Sequence, residues 1–172
     1  MATGDQERYD VVVIGSGFGA LFFLHRFTKA RPKARIVVLE WGSANSHEWQ
    51  IRSRKNSPMA PSDAHVQAAD QKPWNYTIGL GGGTNCWFAR SPRLHPSDFA
   101  LFTRYGVGRD WPVTYDELEP YYLEAEKVMS ISGAEEMARI LPRSAPFLQP
   151  SHRVTAIDRV MMHAQPDRHV PL

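Results

Sequence analysis

The pattern of apolar and polar residues is clearest over residues 9–40. The run YDVVVI at residues 9–14 is short, branched and apolar, which is typical of a buried parallel strand. A helical pattern follows from Phe18 to about Ala30, and a second apolar run at residues 35–39 predicts another strand. The helix is expected to present three apolar residues to the sheet: Leu21, Leu24 and Phe27. This order of strand, helix and strand predicts a βαβ unit.

Beyond this unit the periodicity is weaker. Residues 43–77 are polar and poorly periodic, which predicts a long loop. Residues 98–102 are expected to form a short helix capped by Ser97. Prolines interrupt residues 134–172, so we expect an irregular tail or connector there, with one short helix at residues 155–163.

The most clearly marked helix begins at Thr114. Thr114 and Glu117 have the spacing of a capping box, in which each side chain accepts a hydrogen bond from the other residue's backbone. Apolar residues then recur at intervals of three and four: Leu118, Tyr121, Tyr122, Ala125, Val128 and Met129. Ser132 and Gly133 provide a stop signal, so residues 113–133 are predicted to be an amphipathic helix. Such a stripe is more typical of core packing than of a cofactor site.

The composition is that of a globular domain. The chain has 172 residues, of which 42% are hydrophobic and 22% charged, and this is enough to bury a core. A net charge of +2 gives no reason to expect nucleic acid or an anionic membrane as a partner. The single cysteine, Cys86, excludes an internal disulfide and a cysteine-built zinc site, and no metal site is predicted. No apolar run has the length of a membrane span, and the first ten residues are too polar for a secretory signal, so a cytoplasmic location is expected.

The turn between the first strand and the helix carries a nucleotide-binding pattern. GSGFGA at residues 15–20 fits G-x-G-x-x-G/A. In that pattern the first glycine permits a tight turn, the second leaves room for a pyrophosphate, and the last small residue lets the helix pack closely on the strand. The N–H groups and the dipole of the helix would face the phosphates. The candidate binding residues here are Gly15, Ser16, Gly17, Phe18, Gly19 and Ala20.

An acidic residue closes the second strand. Glu40 lies about twenty positions after Ala20, where a carboxylate accepts hydrogen bonds from the ribose hydroxyls of an adenosine. A carboxylate at this place would repel a 2′-phosphate, which argues against NADP. Trp41, the next residue, completes the candidate set. The alternative, a glycine-rich turn with no ligand, is disfavoured because strand, helix and acid all have the expected spacing.

A second glycine-rich stretch covers residues 76–87, with three consecutive glycines at 81–83. Such a run is costly in the entropy of the unfolded chain, and it is favoured where a backbone passes close to a flat or charged ligand. A flexible linker is the alternative. The large apolar residues on both sides argue against a linker, whose composition is usually small and polar: Ile78, Leu80, Trp87 and Phe88.

The number of predicted strands is small for a fold that binds a dinucleotide. A sheet of two strands is marginally stable, and this fold class needs several more strands with both faces covered. We therefore expect an α/β, Rossmann-like domain that is incomplete in this chain. A missing C-terminal part or a second chain would complete it.

These motifs resemble one family. VVVIGSGFGA, VLEWG and GLGGGTNCW, in this order, resemble the N-terminal third of a glucose–methanol–choline (GMC) flavin oxidoreductase, with some similarity to its pyranose-oxidase-like members. WPVTYDELEPYYLEAEKVMSISG is similar to the segment that follows the flavin loop in the same family, so the likeness covers roughly residues 9–133. The resemblance implies FAD, with the first motif and the acid on the ADP half. The second motif would run along the flavin ring and its pyrophosphate through Gly82, Gly83, Thr84, Asn85, Cys86 and Trp87.

Cys86 bears on whether the flavin is covalently linked. Some members of the family place a flavin-linking histidine near this position, whereas this chain has Asn-Cys-Trp, which excludes a histidyl link at Cys86. A thioether is chemically conceivable, because a cysteine thiolate is a good nucleophile. A buried, unreactive cysteine near the ring is the preferred interpretation.

The resemblance implies the FAD-binding portion of an enzyme that oxidises an alcohol or sugar CH–OH group by hydride transfer to flavin. In the family the catalytic base comes from the C-terminal part, so no catalytic residue is assigned here and the chain alone is expected to be inactive. Two alternatives stay open: a non-catalytic flavoprotein subunit for electron transfer or assembly, and an NAD-dependent dehydrogenase domain. The expected organisation is an ADP-binding unit at 1–42, a loop with the flavin-flanking segment at 43–112, the helix at 113–133 and the tail at 134–172.

Overall fold

A computed structural model of the protein describes residues 7–66, 68–72 and 76–168. The chain forms two compact units, the first ending at Arg90 and the second beginning at Ser91. Among the described residues, no helix combines the length and the apolar character that crossing a membrane requires.

The first unit begins with the predicted βαβ arrangement. Strand β1 (Val11–Ile14) leads into helix α1 (Phe18–Ala30), and strand β2 (Ile36–Leu39) follows. β1 and β2 pair in parallel, with Val11 opposite Ile36 and Ile14 opposite Leu39. The strands begin two residues and one residue later than the predicted runs, at Val11 and at Ile36. Asp10 accepts a hydrogen bond from the Arg35 N–H and donates its own N–H to the Arg35 carbonyl.

The apolar surfaces of this unit are only partly covered. Within the described residues the sheet consists of β1 and β2 alone. Ile14 is 86% exposed and Val12 is 55% exposed, although both belong to a strand with the sequence of a buried one. The prediction that Leu21 faces the sheet is wrong, because this side chain is exposed, whereas Leu24 and Phe27 are half-buried. Two four-residue strands are too small to cover the length of α1.

The region predicted as a long loop contains regular structure. Helix α2 (His47–Ser53) begins where the Ser46 hydroxyl accepts a hydrogen bond from the Trp49 N–H, and a short 3₁₀ turn follows at Pro61–Asp63. The expectation of a structureless loop is therefore wrong for α2, whose seven residues are too few to show a helical period. Residues 67 and 73–75 of this region lie outside the described part of the chain.

The second unit starts with short helical turns. A 3₁₀ helix (Pro96–Ala100) runs into helix α3 (Leu101–Tyr105). The predicted cap by Ser97 is wrong, because the His95 ring nitrogen Nδ1 accepts the hydrogen bond from the Ser97 N–H. Pro96 at the first helical position fits this arrangement, since it has no N–H that needs a partner.

Helix α4 (Tyr115–Met129) begins with the predicted capping box of Thr114 and Glu117. It ends earlier than predicted, at Ser130, which takes the left-handed conformation with φ 53°. Ser132–Gly133 do not stop the helix; they form strand β3, which pairs in parallel with strand β4 (Gln149–Pro150).

The tail holds more structure than an irregular connector. A 3₁₀ helix covers Glu135–Arg139, and helix α5 covers Ala156–Ala164 with a capping box from Thr155 and Asp158. The short helix expected at residues 155–163 is confirmed within one residue at each end. Residues 169–172, which include His169, lie outside the described range.

The buried face of α4 is more polar than the predicted apolar stripe. Tyr121 is 58% exposed and Val128 is 43% exposed, so their assignment to the core is wrong. Tyr115 and Glu126 are buried instead. An apolar stripe predicts the buried face of a helix from its apolar residues alone. It cannot reveal a buried carboxylate, because in the sequence such a residue has the pattern of one that faces solvent.

Arg93 is the partner of that carboxylate and the centre of the second unit. Its side chain is buried and donates to Glu126 at 2.7 Å, to Glu119 at 2.8 Å and to the Pro142 carbonyl at 3.0 Å. Arg143 donates to the same Glu126 carboxylate at 2.6 Å. Burial alone would raise the pKa of Glu126, but the hydrogen bonds from Arg93 and Arg143 outweigh it and hold the pKa below its ordinary value. Charges removed from water are tolerated only when paired in this way.

Candidate functional site

The first glycine of the nucleotide-binding pattern makes the turn from β1 into α1. Gly15 has φ +83°, a backbone conformation that residues other than glycine rarely adopt. Its N–H donates to the Leu39 carbonyl at 2.7 Å, which extends the pairing of the two strands past their ends. The turn is therefore fixed to the carboxyl edge of the sheet.

Gly17 lies at the N-cap of α1 in an ordinary extended conformation, with φ −72°. A Cβ atom built on Gly17 would meet no atom within 4 Å beyond its chain neighbours. Neither backbone conformation nor packing thus requires glycine at this position. The physical reason that remains for a glycine here is the close approach of a ligand to the backbone.

The N-terminus of α1 suits an anion. No side chain caps it, and its first turn carries no acidic residue. The first N–H groups of a helix lack partners inside the helix, and the helix dipole adds partial positive charge at the same end. Backbone N–H groups at such a terminus bind phosphate readily.

The Glu40 carboxylate is held at the end of β2 by three hydrogen bonds. Its Oε2 accepts from the N–H of Ser16 at 2.9 Å and from the Ser16 hydroxyl, and its Oε1 accepts from the Gly42 N–H at 3.0 Å. The Ser16 hydroxyl, followed by the Gly42 N–H, holds the pKa of Glu40 below its ordinary value. The side chain is consequently ionised at neutral pH. Trp41 beside it is 67% exposed.

The second glycine stretch folds onto the first motif. Residues Gly82–Asn85 form a 3₁₀ helix, and Gly81 before it has φ +94°. The Gly81 N–H donates to the Ser16 hydroxyl oxygen at 2.9 Å. A Cβ on Gly82 would lie 3.2 Å from Gly17 Cα, so the two backbones nearly touch. The stretch is a folded element rather than the linker that was the alternative.

Some of the N–H groups expected to face a ligand are used inside this element. The N–H groups of Gly82, Thr84 and Cys86 donate to carbonyls three residues earlier along the chain. The Asn85 side chain donates to the Leu80 carbonyl at 2.8 Å. The element is therefore shaped by its own hydrogen bonds.

The end of this element packs against the start of α1. The rings of Phe18 and Trp87 meet edge to face with centroids 5.0 Å apart. Cys86 is half-buried, and its thiol contacts the Gly83 carbonyl at 3.7 Å. This is a more accessible cysteine than the buried one preferred from the sequence.

Two glycines that sequence reasoning left out help to bring these parts together. Gly81 donates to Ser16, and Gly42 donates to Glu40. A Cβ on Gly42 would lie 2.4 Å from the backbone nitrogen of Gly79, which no real packing allows. Gly42 follows the candidate pair of Glu40 and Trp41 directly, and Gly81 opens the glycine run, so position next to a motif was the available signal.

The structure thus brings the candidates of both motifs into one cradle of backbone amides, a serine and a carboxylate. Their chemistry is that of hydrogen-bond donors and acceptors. Across the described ranges, no group of three or more His, Cys, Asp or Glu side chains could hold a metal ion. That these candidate residues contact a ligand stays a prediction.

Comparison with known proteins adds relatives of known activity, although no protein-family model matches the chain. The fructose dehydrogenase large subunit of Gluconobacter japonicus is 32% identical over 167 residues, an alignment covering 80% of this chain and 30% of that protein. The 2-methyl-1,2-propanediol dehydrogenase of Mycolicibacterium austroafricanum is 30% identical and covers 76% of this chain. The paromamine 6′-oxidase of Streptomyces fradiae is 30% identical and covers 78% of it.

The chain is therefore related to a part of several oxidoreductases named for alcohols and sugars. It spans 30% of the length of the fructose dehydrogenase subunit and 26% of each of the other two. Most of each relative consequently has no counterpart among these residues.

Proposed function

We propose that this chain is the FAD-binding portion of a GMC-type oxidoreductase that oxidises an alcohol or sugar CH–OH group. The observation that carries the proposal is the junction at Ser16, where the first glycine motif, Glu40 and the second glycine stretch meet. A domain for a simpler nucleotide has no need of the second stretch. Relatives named for fructose and a propanediol, both bearing hydroxyl groups, support the class of substrate.

Each part of the cradle suits one part of the dinucleotide. The open backbone at Gly17 and the uncapped end of α1 would receive the pyrophosphate, as their geometry leaves N–H groups without a helix partner. Glu40 would accept from the ribose hydroxyls, and its negative charge disfavours a 2′-phosphate. Gly82–Asn85, Cys86 and Trp87 would lie along the isoalloxazine.

FAD, when bound, supplies the acceptor for the hydride that leaves the substrate carbon. This chain's residues hold and orient the cofactor. The base that takes the hydroxyl proton is proposed to lie outside residues 1–172, as is the substrate domain, either in a further segment of the protein or in a second chain. The exposed faces at Val12 and Ile14 are the surfaces that such a part would cover.

A test of this proposal is the absorption spectrum of the full-length protein containing this chain, before and after acid precipitation. A flavin spectrum that stays with the supernatant after precipitation is the expected result, and it would indicate FAD held without a covalent link. Flavin in the pellet would indicate a covalent link, and its loss in Cys86→Ser would assign that link to Cys86.

Titration with NAD⁺ separates the cofactors. The βαβ unit fits NAD⁺ as well as FAD, whereas the second glycine stretch favours FAD. A folded, colourless protein that binds NAD⁺ and not FAD would refute the proposal. A flavoprotein whose flavin is not reduced by sugars or alcohols would instead support the non-catalytic subunit.

A further inference from the structure

The Ser16 side chain lies between the two halves of the cradle. The residue is 2% exposed, and its hydroxyl donates to Glu40 Oε2 while accepting from the Gly81 N–H at 2.9 Å. A hydroxyl has one proton to donate, so this bond to Glu40 uses its donor capacity completely. One buried oxygen thereby connects the end of β2 with the start of the second glycine stretch.

We propose that Ser16 is a positioning residue that couples the adenosine-binding carboxylate to the flavin-side glycine stretch, so that the two halves of the site bind FAD as one unit. This inference rests on the function proposed above. It assigns Ser16 a role that a pyrophosphate contact through its backbone would not require.

The first step concerns which oxygen of Glu40 meets the ligand. A carboxylate offers about four acceptor positions. Ser16 takes two of them on Oε2, through its N–H and its hydroxyl, and Gly42 takes one on Oε1. Ser16 thereby occupies Oε2, which leaves Oε1 as the oxygen proposed to accept from a ribose hydroxyl.

The second step concerns the charge of Glu40. The hydrogen bond from the Ser16 hydroxyl is the foremost cause of its lowered pKa, ahead of the Gly42 N–H. Within the described residues, hydrogen-bond donors lower the pKa of this carboxylate and burial raises it. No charged side chain in this part of the chain contributes to the shift. Removing the hydroxyl therefore raises the pKa of Glu40 toward its ordinary value.

The third step concerns the second glycine stretch. Gly81 takes a left-handed backbone conformation, and its N–H is paired with Ser16 rather than with another backbone group. Without the Ser16 oxygen this N–H loses its partner, and the position of the 3₁₀ helix Gly82–Asn85 relative to Gly17 is no longer fixed from this side.

The test compares FAD and ADP binding to the full-length protein, by calorimetry, from pH 8 to pH 4. ADP carries the adenosine and the pyrophosphate but lacks the flavin that the second stretch is proposed to line. We expect Ser16→Ala to weaken FAD by about tenfold or more, and ADP by less. We also expect the pH at which either ligand is lost on acidification to move upward, since protonated Glu40 is a poorer acceptor and its pKa rises.

Ser57→Ala is the matched control. The Ser57 hydroxyl donates to the Ile78 carbonyl at 2.6 Å, so it tethers the same stretch of chain without touching Glu40. It should leave the acid midpoint of ADP binding unchanged. Glu40→Gln should remove the part of the acid transition that Ser16→Ala moves, which assigns that part to this carboxylate.

The outcomes separate the two proposals. Wild-type protein that binds neither FAD nor ADP would refute the proposed function, and this inference with it. Wild-type protein that binds both, with Ser16→Ala losing FAD and ADP equally at an unchanged acid midpoint, would refute the coupling alone.

A measurement on the wild type covers the case in which Ser16→Ala does not fold. Coupling predicts that ADP slows hydrogen exchange of the Gly81 amide, because the ordered carboxylate holds Ser16 against it. Exchange at Gly81 that is unaffected by saturating ADP would contradict the inference.

Discussion

Arg93 and Glu126 form a two-pronged ion pair in the second unit, with Nε donating to Oε1 at 2.7 Å and Nη2 donating to Oε2 at 3.0 Å. The guanidinium plane matches the carboxylate, which is the strongest geometry for such a pair. Glu119 and the Pro142 carbonyl accept from the remaining nitrogen, Nη1. The pair therefore joins the start of the unit, α4 and the segment after Pro142.

Arg93→Ala is expected to destabilise the protein strongly. It leaves the carboxylate of Glu126 buried with one of its two cationic partners lost, and breaking a buried pair costs about 3–5 kcal/mol. Urea unfolding followed by far-UV circular dichroism would measure the change. Arg52→Ala is the control, since its pair with Glu48 is more than three-quarters exposed and is worth less than about 1 kcal/mol. Equal effects of the two substitutions would contradict a structural role for Arg93.

Acid should weaken the second unit through the same carboxylates. Burial raises the pKa of Glu119 and Glu126, but hydrogen bonds from Arg93 and neighbouring groups lower both below the ordinary value of 4.5. The unfolded chain then binds more protons than the folded one at acidic pH, so stability is present above about pH 4.5 and is lost as pH falls through the lowered values. Unfolding curves at pH 7, 5 and 3.5 would test this. The free energy of unfolding should fall mainly between the last two, and Glu119→Gln should flatten that fall.

Gly42→Ala should disrupt the first unit. Its new Cβ would lie 2.4 Å from the Gly79 nitrogen and 2.5 Å from the Ile78 carbonyl carbon, and backbone atoms cannot move aside as a flexible side chain can. Overpacking of this kind costs about 1–3 kcal/mol, and we expect FAD binding to weaken as well. Gly83→Ala provides a comparison, because a Cβ there meets no atom within 4 Å. Equal stability of the Gly42→Ala and Gly83→Ala proteins would show that the contact at Gly42 is not maintained.

Gly17→Ala should separate binding from stability. A Cβ at Gly17 meets no atom within 4 Å, and its φ of −72° suits alanine, so the change in stability should stay below about 1 kcal/mol. The methyl group would nevertheless occupy the path of a pyrophosphate, and FAD should bind about tenfold more weakly or worse. Thermal unfolding and FAD titration of the same sample would measure both. Unchanged FAD affinity would place the pyrophosphate elsewhere.

The local parts of this structure were predictable from the sequence, because their signals lie within a few residues. The order of β1, α1 and β2 follows from short apolar periods, and the Thr114 cap follows from one residue three positions away. The start of α1 at Phe18 is fixed by the glycine turn before it. The capping pattern of Ser46 was also local, but α2 is too short to add a period to it.

The long-range contacts were not predictable in the same way. The partner of Glu126 is Arg93, which lies 33 positions earlier, and nothing in either neighbourhood marks them as a pair. The Ser16 hydroxyl meets the Gly81 amide across 65 positions. The sequence marks both glycine motifs as ligand-facing, yet only the fold determines that one serine joins them.

The close approach of Gly42 to Gly79 also determines where this protein can accept insertions. The Leu80 N–H donates to the Ser43 carbonyl at 3.1 Å, so a hydrogen bond holds residues 43 and 80 together. The segment that contains α2 therefore begins and ends at neighbouring points of the first unit. Lengthening or exchanging this excursion adds little entropic cost once its ends are fixed. A new segment could be grafted here without moving the glycines at 15–20 or 81–83, provided that Ser57 keeps its bond to the Ile78 carbonyl.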